Sequence, residues 1–354
     1  LAGNPNAGKT SLFNALTGAR QHVGNYPGVT VEKKEGEARH QGQAVRVVDL
    51  PGTYSLTAYS LEELVARNYV IDERPDVVVD VVDAANLERN LYLAVQFMEL
   101  GAPLVIALNM MDVAEQRGMK IDVAKLSQLL GVPVVPTVAR SGKGMDELLA
   151  AAVKVAQARE PWRPLTISYG GDVDEGLKEL TALLEGKEVR QGLLSPRWLA
   201  LKCLEADQEV LEKLKEDPAL TQRLMPVCQR VAGHVRQTMD DEPESVIADY
   251  RYGFISAIAR QAVRRPGVDA QRLSISDQMD RVLTHRLAGP LIMIGIVYLI
   301  YTITFTLGEV PMGGVENFFG WLGDTATAIL PEGLLRSLVV SGIIDGVGGV
   351  MGFV

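Results

Sequence analysis

Over the first 158 residues, short apolar runs alternate with stretches of helical period. The apolar runs are "AVRVVDL" (44–50), "DVVVDVVDA" (76–84), "PLVIALNM" (103–110) and "PVVPTVA" (133–139). Three of the four are close to continuously apolar, the pattern of parallel strands covered on both faces. Between them lie the helical runs "TSLFNALTG", closed by Gly18, "NLERNLYLAVQFMELG" and "MDELLAAAVKVA". The alternation predicts an α/β domain over 1–160, a doubly wound and mainly parallel sheet between helices.

The pattern breaks at "REPWRPLTISYGG", which begins at Arg159 and carries two prolines and two glycines. Residues 171–268 then show helical signals and no convincing strand, and the domain is placed over 161–270. Ser195 caps a helix that has Pro196 at its first position, and Asp217 with Pro218 repeats the device. "PESVIADYRYGFISAIARQAV" places Ile247, Tyr250, Phe254 and Ile258 on one face. A small all-helical domain is expected, followed by a linker over 271–286.

From Leu287 to Gly308 no residue is charged. A helix crosses the hydrocarbon core with about 20 residues, so 287–308 is expected to be a first transmembrane helix. Arg264, Arg265, Arg272, Arg281 and Arg286 precede it, whereas Glu309 and Glu316 follow. That asymmetry places the preceding domains on the cytoplasmic side of the membrane. Residues 309–354 mix an amphipathic stretch with a Gly-rich apolar run and read as a second membrane region cut short. The other end reads similarly, because only Leu1 and Ala2 stand where a first strand belongs.

Composition narrows the function. Apolar residues make up 47% of the chain and mean hydropathy is +0.10. These values allow a full core and something more. A net charge of −9 argues against nucleic acid as a partner. Cys203 and Cys228 form no framework and are expected to be buried structural thiols in a reducing compartment. His22, His40, His234 and His285 are isolated, with solvated or packing roles. Asp80, inside an apolar run, is expected to be paired or at a strand edge, since a buried lone carboxylate is costly. "DDEPE" (240–244) reads as a solvated helix start. The membrane run carries no carboxylate, Cys or His to hold a transition metal.

The chemistry lies in five short motifs. "GNPNAGKT" (3–10) matches G-x-x-x-x-G-K-[ST]. Backbone N–H groups of Gly3, Asn4, Asn6, Ala7, Gly8 and the helix start at Ser11 would cradle phosphates. Lys9 would reach the β- and γ-phosphates, and Thr10 would bind Mg²⁺. "DLPG" (49–52) ends a strand, with Asp49 placed for Mg²⁺ and Gly52 N–H for the γ-phosphate. "GNYPGVTVE" (24–32) offers Gly28, Val29 and Thr30 on a loop, Thr30 as a further Mg²⁺ and γ-phosphate ligand. "NMMD" (109–112) also ends a strand. The Asp112 carboxylate can accept from guanine N1–H and N2–H₂, a donor pair that adenine lacks. Asn109 would tie this loop, with Met110, to the phosphate loop. In "VARSGKG" (138–144), the Ala139 N–H, between Val138 and Arg140, would meet guanine O6. Five elements in this order point to a GTPase using GTP, GDP and Mg²⁺.

With these motifs, "GNPNAGKTSLFNALTG", "GNYPGVTVE", "DLPGTYSL" and "PLIMIGIVYLIYTITFTLGEVP" resemble the FeoB family of ferrous iron transporters. The resemblance covers the whole chain. It implies a GTP-binding domain (1–160) and a GDP-dissociation-inhibitor-like helical domain (161–270). It also implies a multi-pass permease for Fe²⁺ in the bacterial inner membrane, with the first two domains cytoplasmic. Small accessory Feo proteins and a homo-oligomer are further partners it suggests, besides the lipid bilayer. The chain departs from the family pattern at Val138, where Ser is usual, and at Ala7, a frequent Ser.

Many small GTPases place a Gln just after D-x-x-G. Here Thr53 stands there, a poorer water anchor, so slow hydrolysis is expected, with water held by backbone groups of the switch loops. Asn6 offers a carbonyl oxygen near the phosphates and resembles a K⁺ ligand of related GTPases. Nucleotide state would move the loops around Thr30 and Tyr54, then the helical domain, then the membrane entrance. Two alternatives remain open at this point: a membrane-anchored regulatory GTPase, and a sensor that does not transport.

Overall fold

The computed structural model describes residues 1–18, 21–26, 29, 31–57, 59–159, 161–185, 194–264, 282–286 and 288–351, without the side chains of Gln21 and 307–311. The chain divides into two units, Leu1–Gly267 and Val268–Val354.

In the first unit the strands are β1 (Ala2–Gly3), β2 (Gln21–Asn25), β3 (Glu32–His40), β4 (Gln43–Asp49), β5 (Val78–Asp83), β6 (Leu104–Asn109), β7 (Lys120–Ile121), β8 (Val134–Pro136) and β9 (Val263–Arg264). A parallel sheet runs β1-β5-β6-β8, and an antiparallel sheet runs β2-β3-β4. Leu1 links the two, donating to Val48 O at 2.6 Å and accepting from Leu50 N at 2.9 Å. These bonds set β4 parallel to β1, so the two sheets form one mixed surface. The run at 44–50 is therefore a strand, but it is antiparallel to β3. The hairpin partners β2 and β3 carry no apolar alternation. "EKKEGEARH" has only Ala38 fully buried, which is why its pattern carries no strand signal.

Helices α1 (Lys9–Thr17), α2 (Leu61–Glu73), α3 (Leu87–Leu100), α4 (Met111–Gln116), α5 (Val123–Leu130) and α6 (Met145–Ala158) flank the sheet. β6 is buried at every position, and β5 at all but its last. Val79 and Val81 face one core with Leu12 and Leu148, while Val78 and Val82 face the other with Leu91 and Phe97. Continuous apolar character thus has its physical cause in two-sided burial.

Asp80 corrects one expectation. It lies mid-strand on β5, 1% exposed, and neither carboxylate oxygen has a hydrogen-bond partner among the described residues. Burial pushes its carboxyl up to about 7 from 3.8. Between these values the unfolded chain releases the proton and the folded one keeps it, so stability falls as pH rises from about 4 to about 7. The cost above that window is about 4 kcal/mol. Asp80→Asn is expected to recover much of this at pH 8 and almost nothing at pH 4. Hydrogen exchange of the β5 and β6 amides measures it; equal protection of variant and wild type at pH 8 would contradict the assignment.

The helical part comprises α7 (Gly171–Leu184), α8 (Pro196–Leu204), α9 (Gln208–Leu214), α10 (Pro218–Met239) and α11 (Pro243–Ala262). Ser195 accepts from Trp198 N and Asp217 from Leu220 N, each before a first-turn proline. On α11 the buried stripe is Ile247, Arg251, Ile255, Ile258 and Ala262. It is not the stripe through Tyr250 and Phe254, because a fully paired arginine occupies the core position. The expectation of no strand here is also corrected. β9 pairs antiparallel with β7, fastening the end of α11 to the α/β part.

In the second unit, α12 (Ala288–Ile329) runs for 42 residues, about 63 Å at 1.5 Å per residue. It continues past Gly308, where the apolar run ends. Two segments are long and apolar enough to cross a membrane, Ala288–Thr306 and Leu334–Met351, with mean hydropathy 1.9 and 1.5. The large side chains of the first from Leu291 to Phe305, all but the half-buried Ile292, are exposed, as lipid-facing residues would be.

Candidate nucleotide-binding site

The site begins where β1 turns into α1. Gly8 caps α1 at φ 88°, and a Cβ there would sit 2.3 Å from Asn109 Nδ2. Only glycine allows the loop to close on β6 so tightly. The first turn of α1 carries no acidic residue, and Thr10 and Ser11 are exposed. Its free N–H groups and helix dipole favour an anion. Lys9 Nζ lies 2.5 Å from Asp49 Oδ1 at the end of β4, so two motifs 40 residues apart converge. Asn6 is exposed at φ 68°. Asn4 is buried, its Nδ2 donates to Arg89 O at 3.4 Å, and its Oδ1 has no protein partner among the described residues. Ala7 is buried, and its N–H donates to Asn4 O.

The D-x-x-G segment packs on this loop, with Gly52 against Pro5 and Thr53 N donating to Gly3 O at 3.2 Å. The Thr53 hydroxyl donates to Ser55 O at 2.6 Å and the residue is 3% exposed, so its side chain is committed to the turn. Tyr26 OH donates to Asp49 O at 3.0 Å. Val29 packs against the core, and its N–H donates to Tyr26 O. Gly28 and Thr30 lie outside the described residues.

The base side is built on β6. Asn109 Nδ2 donates to Ala7 O at 2.9 Å, while its Oδ1 accepts from Ala139 N at 3.0 Å. One side chain therefore joins three loops. The Ala139 N–H is engaged by Asn109, so a contact with guanine O6 requires this bond to be shared or exchanged. Met110 turns the chain at φ 59° and sets Asp112, exposed, in the first turn of α4. Val138 N donates to Lys143 O at 3.0 Å, and Arg140 is exposed beside it. Gly144, at φ 82°, passes so close to Pro136 O that a Cβ would lie 2.3 Å away, which fixes this loop without a Ser at 138.

Sequence reasoning missed a set of buried charges that fastens the helical part to the α/β part. Arg251 on α11 binds Glu99 on α3 at 2.8 Å and Glu205 at 2.5 Å; Lys202 reaches Glu205 at 2.8 Å, and Tyr169 OH bonds Glu99. Burial would push the Glu205 carboxyl up, but Arg251 and Lys202 hold it down at about 2. A second arginine, Arg67 on α2, donates to Leu56 O at 3.3 Å and pairs with Asp207 and Glu209, each at 2.5 Å. Leu56 N in turn donates to Gln96 Oε1 at 2.6 Å. The segment after D-x-x-G is thus tied through Arg67 to the helical part. The signal available in sequence was an Arg at a core position of an amphipathic helix, which reads as a phase error.

Family models support this architecture. "Ferrous iron transport protein B" matches residues 1–152, and "FeoB cytosolic helical domain" matches 169–264. A GDP-bound point mutant of the S. thermophilus FeoB G-domain is 38% identical, with a TM-score of 0.66, over 74% of this chain and 98% of that one. The cytosolic domain of the T. maritima FeoB iron transporter in GMPPNP form is 34% identical, TM-score 0.63, over 74% and 97%. Among curated proteins, a Porphyromonas gingivalis Fe(2+) transport protein A/Fe(2+) transporter FeoB fusion protein is 41% identical over all of this chain and 42% of its own length. A Methanocaldococcus jannaschii Fe(2+) transporter FeoB is 39% identical over all of this chain and 51% of its own. The chain spans about half the length of these curated relatives. On these matches, and on the P-loop GTPase architecture that the structure shows, the chain belongs to the FeoB family.

Proposed function

We propose that this chain is the GTP-binding and first membrane portion of a ferrous iron uptake protein. The observation that carries it is the convergence of Lys9, Asp49 and the Asn109-tied loops at the C-terminal ends of β1, β4 and β6, in a chain that continues into membrane-length helices. Relatives named as transporters favour transport over the regulatory and sensor alternatives. The membrane is the cytoplasmic or inner membrane, with the first unit on its cytoplasmic side.

The roles follow from position. The N–H groups of residues 3–11 hold the phosphates, Lys9 neutralises the β- and γ-oxygens, and Gly52 N–H meets the γ-phosphate. Asp112 reads guanine. The donor set fits a hard cation: Thr10 is exposed and follows Lys9, whose ammonium meets Asp49, so Thr10 and Asp49, with Thr30, would hold Mg²⁺, which would supply positive charge at the phosphate oxygens. With the Thr53 hydroxyl bonded to Ser55, the attacking water is held by backbone groups, and hydrolysis is slow.

Two experiments check this. Vesicles holding the full-length protein and loaded with GTP are expected to take up Fe²⁺, and Lys9→Ala to reduce uptake about 100-fold or more, the scale of removing one preorganised oxyanion-hole donor. Equal uptake in both would make the GTPase a regulator. The exposed Asn6 side chain is a K⁺ ligand in this scheme. Hydrolysis is expected to run about 10-fold faster in KCl than in NaCl, a barrier change of about 1.4 kcal/mol, and Asn6→Ala to erase the difference; equal rates in the two salts for wild type would remove the K⁺ site.

A further inference from the structure

The two cysteines of the chain are brought together in the helical part. Cys203 lies on α8 and is 4% exposed; Cys228 lies on α10 and is partly exposed. Both line one cavity of about 410 Å³, with Leu211, Leu214, Leu224 and Met225 in its walls. The neighbouring Cys228 sulfur and burial raise the Cys203 thiol, whereas Cys203 lowers the Cys228 thiol from its ordinary value against the opposing effect of burial. One sulfur is therefore buried and protonated, whereas its neighbour is reachable and the better nucleophile. Neither belongs to the nucleotide site. Packing alone gives no reason for a thiol pair beside an open cavity, where alanine or valine would serve.

We propose that Cys203 and Cys228 form a reversible dithiol–disulfide modification site, with Cys228 attacking the oxidant and Cys203 resolving the product. The oxidant class is a hydroperoxide. The Cys228 thiolate attacks the O–O bond of hydrogen peroxide, giving a sulfenic acid and, with one proton, water. Cys203 sulfur then displaces the sulfenic oxygen as a second water, forming the S–S bond; two thiols and one peroxide yield one disulfide and two waters. The bond would link α8 to α10. Lys202, next to Cys203, pairs with Glu205 of the Arg251 set, and Asp207, four residues on, holds Arg67. Oxidation thus acts on the helix end that carries both ionic joints to the α/β part.

The test treats the 354-residue chain with hydrogen peroxide, quenches with N-ethylmaleimide and maps peptides by mass spectrometry, with free cysteine in the same tube as a standard. Alkylatable thiols are expected to fall from two to none per chain, with the two peptides joined within one chain and released by dithiothreitol. In Cys203→Ala, a dimedone adduct is expected on Cys228; in Cys228→Ala, none on Cys203. Thiols that stay alkylatable when the standard is oxidised, a disulfide formed only between chains, or an adduct on Cys203 would overturn the proposal. The wild-type map decides the disulfide even if a variant folds poorly.

Discussion

Asp112→Asn is expected to weaken GTP binding by about 10²- to 10⁴-fold and to strengthen binding of xanthosine triphosphate. Hydrogen bonds to a charged group contribute about 1.5–3 kcal/mol each, and guanine offers two donors to this carboxylate. An amide keeps one acceptor and gains a donor. Xanthine, with an oxygen in place of the 2-amino group, matches that pair. The loop itself should not move, because its shape is held by Met110 at φ 59° and by Asn109 bonded to Ala7 and Ala139. Asp112 is exposed, so an isosteric amide there disturbs no buried packing. Displacement of a fluorescent guanine nucleotide by GTP, xanthosine triphosphate and ATP measures the change. A GTP affinity within about threefold of wild type would mean that Asp112 does not read the base, since that ratio is under 1 kcal/mol. Asn109→Ala is a poorer probe, since it would release three loops at once.

How much of this was legible in the sequence depends on whether a residue's environment is written in its neighbours. β5 and β6 were legible because burial on both faces leaves no polar position to obscure the run, and their ends fixed Asn109 and Asp112. The caps at Ser195 and Asp217 were legible because the cap bond is made within three residues. β3 was not, since eight of its nine residues are at least partly exposed and its register comes from β2 and β4. Asp80 was misplaced for a related reason. A strand pattern reports that a site is buried, but whether a partner reaches it is set by distant chain. In the nucleotide site, motif order brought Lys9 and Asp49 to one phosphate and Mg²⁺ site, whereas their direct pairing and the engagement of Ala139 N–H by Asn109 are set by the fold. Thr30 lies outside the described residues, so its role rests on its motif.

Arg251 shows the same limit with the largest expected stability effect. It is 1% exposed, and its guanidinium meets Glu99 and Glu205 together. Arg251→Ala removes the cation and leaves two buried carboxylates, of which, among the described residues, only Glu205 keeps a cationic partner, Lys202. Breaking a buried pair from one side costs about 3–5 kcal/mol, because the remaining charge is neither solvated nor matched. The sign of the pH dependence follows from Glu205. Its folded value of about 2, against an ordinary 4.5, contributes stability above pH 4.5 that is lost as pH falls toward 2. Without Arg251, burial dominates and the carboxyl moves up. The deficit of the variant is therefore expected to be largest near neutral pH and to shrink toward pH 3, where protonation of Glu205 relieves its unmatched charge. A double replacement of Arg251 and Glu99 by apolar residues of similar size, which keeps the Lys202–Glu205 pair, is expected to recover part of the loss, since it removes Glu99 together with its cation. Amide exchange in α3 and α11, which carry the two halves of this joint, reads each case. An Arg251→Ala deficit that is small, or constant from pH 3 to 8, would mean that the ionic set orients these helices without holding them together.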